Sequence, residues 1–133
     1  MIEKTLSIIK PDAVERNLEN EIKSIFQINN LMILKSKKIK ITKEEAAEFY
    51  KVHQTKPFYE DLCSYLSSGP IIAMILEGEE AIKRNRDIMG PTDPKKANSN
   101  TIRGKHGISI DKNSVHGSDS LENAIKEIEF FFN

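Results

Sequence analysis

The apolar positions of the chain change period several times, and each change marks an element. Residues 5–10, Thr-Leu-Ser-Ile-Ile-Lys, form a β-rich run that ends against Pro11, which cannot donate to a ladder. A first strand is expected there, with Lys10 as its last residue. Leu18, Ile22, Ile25, Phe26 and Ile28 recur at helical spacing before the stop of Asn29 and Asn30, so one helix is expected over about residues 15–29. Residues 31–41 open with four apolar positions and then alternate through Lys37, Ile39 and Ile41, the pattern of a strand leaving the core. Thr42 and Glu45 have capping-box spacing and start a helix expected to reach Lys51. Pro57 interrupts, and Phe58, Leu62, Tyr65 and Leu66 mark a second short helix before Gly69-Pro70. This helix pair would form a flap with Tyr50 and Phe58 near its inner face.

Residues 71–76, Ile-Ile-Ala-Met-Ile-Leu, are continuously apolar between turn signals, as in a strand covered on both faces, and are expected to be the central strand. Ala81, Ile82, Ile88 and Met89 mark the next helix, which Gly90-Pro91 ends. Residues 90–101 are polar, turn-rich and without period, which is expected of a functional loop. Ile108 and Ile110 alternate with Ser109 and Asp111 in an expected last strand; Ser120 caps a final helix whose buried stripe is Leu121, Ala124, Ile125, Ile128 and Phe132. The order strand, helix, strand, helix pair, strand, helix, strand, helix fits an α+β fold of the ferredoxin-like split βαβ class, a four-stranded antiparallel sheet with helices packed on it.

Composition narrows the function. A chain of 133 residues with 38 % hydrophobic residues suits one domain over residues 1–133 and one site. Lysine plus arginine equals aspartate plus glutamate at 20 each, so nucleic acid is not an expected partner and basic residues must act locally. A lone Cys63 suits a reducing cytoplasm and reads best as a small semi-buried side chain. The longest apolar run is too short to span a bilayer, so no membrane role is expected.

Candidate chemistry gathers around Asn113-Ser114-Val115-His116-Gly117-Ser118-Asp119-Ser120. This reads as a turn of small and hydroxylic residues displaying an imidazole, with Gly117 leaving room for a substrate and the serines offering donors. A histidine in a loop, taken alone, is more often a surface residue. Here, however, Lys10, Arg86 and Arg103 stand beside turns and could converge on a polyanion. Neither a P-loop nor a dinucleotide glycine fingerprint is present, so a nucleotide would have to be held another way.

Four separated segments then carry a resemblance: Thr-Leu-Ser-Ile-Ile-Lys-Pro-Asp-Ala-Val, Ser-Gly-Pro-Ile-Ile-Ala-Met, Met-Gly-Pro-Thr-Asp-Pro followed by Thr-Ile-Arg-Gly, and Asn-Ser-Val-His-Gly-Ser-Asp-Ser. In these, and in their order, the chain resembles the nucleoside diphosphate kinases over essentially its whole length. The resemblance implies ping-pong γ-phosphoryl transfer from ATP or another nucleoside triphosphate to a nucleoside diphosphate, through a phosphohistidine formed on Nδ1 of His116. It implies that Glu127 holds the other ring nitrogen, with Ser118 its hydrogen-bond partner and Gly117, Ser118 and Asp119 shaping the turn. Lys10 would meet the terminal phosphate and a ribose hydroxyl, and Tyr50 would line the phosphate pocket. Arg86, Thr92 and Arg103 would grip the phosphates, Asn113 would bond the ribose, and Phe58, Leu62 and Ile110 would sandwich the base. Stacking without contacts to base edges implies low base selectivity. Mg2+ would arrive on the nucleotide, bridging phosphates.

The resemblance further implies a homo-oligomer, with Pro94 at a subunit contact. The chain departs from it at Ala13 and Asn17, where glycine is common, in residues 95–100 and 105–107, and in ending soon after Phe132 without the tail many relatives carry. Hexamer is favoured over tetramer or dimer. Two other classes compete: a ferredoxin-like single-strand binder, opposed by zero net charge and the lack of an aromatic RNP-like strand, and a family member kept for interactions alone, opposed by the intact catalytic positions.

Overall fold

The computed structural model describes residues 2–51, 54–108 and 112–132. Its elements are β1 (Ile2–Ile9), α1 (Pro11–Glu15), α2 (Glu19–Ile28), β2 (Met32–Ile39), α3 (Lys43–Phe49), α4 (Tyr59–Leu66), β3 (Ile71–Glu79), α5 (Ala81–Met89), α6 (Ile102–His106), β4 (Val115–Gly117) and α7 (Leu121–Phe132), with a 3-10 turn at Pro94–Lys96. The four strands form one sheet in the order β2-β3-β1-β4, every pairing antiparallel. This is the expected ferredoxin-like α+β arrangement. Among the described residues, no helix is long and apolar enough to cross a membrane.

The pleat of β1 divides the core. Leu6 and Ile8 face α3, α4 and α7 together with Ile41, Ala46, Cys63, Leu66, Ala73 and Phe131. Ile9 points the other way, among Ile22, Phe26, Met74, Ala81, Met89 and Val115 on the side of α2 and α5. Both faces of β1 and β3 are therefore covered, which is why the run from Ile71 is apolar without alternation. The Thr42–Glu45 capping box is present in both directions, Thr42 N–H to Glu45 Oε1 at 2.9 Å and Glu45 N–H to Thr42 Oγ1 at 3.1 Å.

The elements depart from expectation in several places. The single helix over 15–29 is two: Pro11 opens α1 at its first position, where a missing N–H costs nothing, and Asn17 (φ 60°) reverses the chain before α2. The loop over 90–101 is irregular apart from the 3-10 turn, as expected, and leads into a helix the pattern did not mark, α6, capped by Thr101 Oγ1 on Gly104 N–H at 3.1 Å. Of the expected last strand over 108–111, Ser109, Ile110 and Asp111 lie outside the described residues and Ile108 stands in a loop; the strand that pairs with β1 is Val115–Gly117. Finally, the stripe of α7 holds at Ala124, Ile128 and Phe132, but Leu121 and Ile125 are exposed and Phe131 is buried in their stead.

Candidate active site

Because β4 pairs in register with β1, Ile8 opposite His116, its three residues alternate between the two faces. Val115 and Gly117 turn toward α5, where a Cβ on Gly117 would come within 2.3 Å of Asn85 Nδ2 and 2.6 Å of Met89 Sδ. The glycine thus makes room for a helix. His116 turns to the opposite face, where Phe49 stands edge-on to its ring at 5.2 Å between centroids and Tyr50 lies at 6.5 Å. The imidazole is accordingly displayed from a strand and not from a turn.

On that face α7 presents Glu127, whose Oε1 lies 2.9 Å from His116 Nε2 and also accepts the Ser118 hydroxyl at 2.9 Å. Ser118 further accepts the Leu6 N–H at 3.3 Å, and Ser120 Oγ accepts Asn123 N–H at 3.1 Å to start α7. The serines are thus committed to holding Glu127 and its helix. With Glu127 Oε1 acting as acceptor, Nε2 supplies the hydrogen of that bond, which leaves Nδ1 as the ring nitrogen facing away from Glu127.

His116 opens onto a cleft of about 880 Å³ that also involves Lys10, Tyr50, Phe58, Arg86, Thr92, Arg103, Asn113, Gly117 and Glu127. Leu62 lines it as well; Ile110 lies outside the described residues, and Ser118 sits behind the wall. Lys10 precedes α1 and donates from Nζ to Asn113 Oδ1 at 2.9 Å, while Asn113 Nδ2 donates to Thr92 O at 3.1 Å. Arg103, 7 % exposed, donates to Gly90 O and Val115 O, both at 2.9 Å, so it clamps the ends of α5 and β4 together. Burial, followed by the neighbouring Arg86 charge, lowers its pKa to about 10. Two guanidinium groups that line one cleft and repel each other favour an anion there. Asp119 is held below the usual carboxylate range, first by the Asn123 amide, which donates at 2.6 Å, and then by Arg86.

Similarity agrees with this geometry. A sequence model of the family described as nucleoside diphosphate kinase matches residues 3–133. The chain belongs to the nucleoside diphosphate kinase family. It is 55 % identical over 131 residues to the nucleoside diphosphate kinase of Nitratiruptor sp., covering 98 % of this chain and 96 % of that protein. Against the enzyme of Campylobacter curvus the identity is 53 % with the same coverage. The crystal structure of the Aquifex aeolicus nucleoside diphosphate kinase superposes with a TM-score of 0.97 at 44 % identity, over 100 % of this chain and 96 % of that one. Membership makes the chain a phosphotransferase acting on nucleoside tri- and diphosphates.

Within this nucleoside diphosphate kinase fold, several residues around the cleft were not picked out from sequence. Lys56, Asp93, Lys95, Ile108 and Asn123 also line it, and Phe49 walls the imidazole. Phe49 precedes Tyr50 in the same helix pattern, and only the packing of α3 against β4 shows that it reaches the ring. Behind the cleft, Asp12, Arg16, Tyr65 and Ser114 form a hydrogen-bonded network; Asp12 and Ser114 lie in two of the quoted segments, but nothing in the sequence pairs them. Pro94 starts the 3-10 turn and packs on Gly107, where a Cβ would lie 2.5 Å from Pro94 Cγ.

Proposed function

We propose that residues 1–133 act as one domain that moves the γ-phosphoryl group of a nucleoside triphosphate to a nucleoside diphosphate in two steps through His116. In the first, the Nδ1 lone pair attacks the γ-phosphorus, an N–P bond forms, and the bond to the β,γ-bridging oxygen breaks, its electron pair leaving with the diphosphate. The ring becomes cationic as this happens, and Glu127 faces its Nε2–H to stabilise that charge. In the second, a terminal oxygen of the incoming diphosphate attacks the same phosphorus and the N–P electron pair returns to Nδ1. The observation that carries the reading is the Ser118–Glu127–His116 chain, which ties up Nε2 at a cleft edged by Lys10, Arg86 and Arg103.

In this reading Lys10, Arg86, Thr92 and Arg103 hold the phosphates, Asn113 and Lys10 the ribose, and Tyr50 the wall beside the reacting group. Phe58 and Leu62, joined by Ile110, hold the base by apolar contact, and selectivity among bases is low. The cleft is lined by the cations Lys10, Lys56, Arg86, Lys95 and Arg103, suited to nucleotide phosphates, and by the carboxylates of Asp93, Asp119 and Glu127. A nucleotide held by those cations would bring Mg2+ on its phosphates, and the ion would neutralise charge on the transferring group.

Self-association is expected as well: β2 lies at the sheet edge with its outer side unpaired by any described strand, and Met32 and Ile28 are 62 % and 78 % exposed. A homo-oligomer, hexameric in solution, and a cytoplasmic location complete the proposal; a solution mass of one subunit would remove the first of these. The test of the chemistry is incubation with γ-labelled ATP and Mg2+. An acid-labile, alkali-stable label should appear on the protein and leave as labelled GTP on adding GDP, and His116→Ala should take up none. Label retained by His116→Ala would refute the assignment.

A further inference from the structure

Ser114 stands between Asn113 and the strand that carries His116, and its φ of 74° lies in the left-handed region that a side chain with a Cβ enters at a steric cost. Such conformations persist where the surroundings over-determine them. Here they do. Ser114 O accepts Lys10 N–H at 2.8 Å, and its hydroxyl donates to Asp12 Oδ2 at 2.9 Å. The Asp12 side chain is 4 % exposed, and a buried carboxylate is tolerated only when fully paired. Tyr65 O–H donates to Asp12 Oδ1 at 2.5 Å, and Arg16 Nη2 reaches Oδ2 at 3.0 Å, Ser114 Oγ at 3.2 Å and His106 O at 2.5 Å. Tyr65 belongs to α4, the helix that carries Leu62, so one carboxylate joins α4, α1 and the turn before β4. None of these four side chains lines the cleft.

We propose that Asp12 is a positioning residue for phosphotransfer: its carboxylate holds Ser114 in the left-handed conformation and thereby sets Asn113 on one side and His116 on the other. The proposal rests on the reading of His116 as the phosphoryl carrier. Its signature is conformational rescue. Asp12→Asn should lower kcat by roughly ten- to hundredfold, with KM changing far less, because a small misplacement of the reacting group costs rate. Ser114→Gly alone should slow transfer by no more than about twofold, since glycine adopts positive φ unaided. The double variant should recover most of the loss.

If Asp12 serves only to hold the structure together, the double variant will be at least as slow as Asp12→Asn, and the proposal is overturned; it is equally overturned if Asp12→Asn matches the wild type. Tyr65→Phe, which removes one of the bonds to the carboxylate, gives a milder loss with the same rescue should Asp12→Asn fail to fold. A second readout is independent of catalysis. The strong intraresidue HN–Hα nuclear Overhauser effect that a positive φ produces at Ser114 should weaken in Asp12→Asn or Tyr65→Phe, and its full persistence would sink the idea. A wild type that takes up no label from γ-labelled ATP would instead count against the phosphohistidine alone, leaving the Overhauser result to decide the role of Asp12.

Discussion

Two parts of the cleft lining are built on opposite principles. Around His116 nearly every polar group is spoken for: Lys10 on Asn113, Asn113 on Thr92 O, Arg103 on two backbone carbonyls, Glu127 on both Ser118 and His116. Lys10, Arg103 and Asn113 are buried to 5 %, 7 % and 2 % exposure. In the other part Phe58 is 43 % exposed and Ile108 55 % exposed, and what they offer is apolar surface. Groups meant to stabilise developing charge gain from being fixed in advance, because no reorganisation is then required at the moment of reaction. On the proposed function this second surface holds the base, and a surface that accepts different bases gains from making no directional demands. The comparison predicts that changes in the first part act on rate and changes in the second on affinity.

The largest effect expected is from His116→Ala, which should cut turnover by about 10⁴-fold or more while leaving the thermal midpoint nearly unchanged. Turnover within a hundredfold of wild type would mean that another group accepts the phosphoryl. Next comes Arg103, whose two bonds to Gly90 O and Val115 O make it structural as well as electrostatic. Arg103→Ala should slow transfer by about 10²- to 10³-fold and also cost about 1–3 kcal/mol of stability by leaving buried carbonyls unpaired. Denaturant unfolding beside steady-state kinetics separates the two parts, and an unchanged rate would remove Arg103 from the site.

Glu127→Gln keeps a hydrogen-bonding group but not the charge; a fall of about 10- to 100-fold in kcat is expected, and an equal rise in KM instead would place Glu127 in binding. Phe58→Ala should raise KM by about tenfold for purine and pyrimidine diphosphates alike, with kcat held, as stacking contributes about 1–3 kcal/mol per base. A loss confined to one base, or a large drop in kcat, would erase the contrast between the parts of the lining. The smallest effect concerns Asp119. Its carboxyl is held below the ordinary range by Asn123 and Arg86, so its contribution to stability is present above about pH 4 and is lost as pH falls through the lowered value. Because the group is largely solvent-screened, only a slight narrowing of the stability difference between wild type and Asp119→Asn is expected from pH 5 to pH 2.5 in urea melts.

How far these features could be read beforehand depended on how local they are. The unbroken apolar run from Ile71, the Thr42 capping box, the Gly90 stop after α5 and the Ser120 start of α7 are encoded within a few neighbouring residues, and all appear where their patterns place them. Strand β4 was missed because Val-His-Gly carries no alternating signal; it is a strand only because Ser7, Ile8 and Ile9 offer it a ladder. Part of the α7 stripe differs for a related reason. Leu121 and Ile125 fit an inward stripe as well as Phe131 does, and the choice fell to the face on which Glu127 meets His116 and Ser118.

Residue types and their order thus determined the kind of protein: strands and helices in split βαβ succession, and four motifs that place it among the nucleoside diphosphate kinases. Only the tertiary structure decided which atoms meet. The histidine faces its glutamate because a three-residue strand is pleated against β1, and an arginine counted as a phosphate contact also ties two backbone ends together. The carboxylate of Asp12, unremarkable in sequence, holds the turn before the histidine. Local pattern is written by steric and solvation preferences acting over a few residues, whereas hydrogen bonds between Asp12 and Ser114, 102 positions apart, exist only once the chain has closed upon itself.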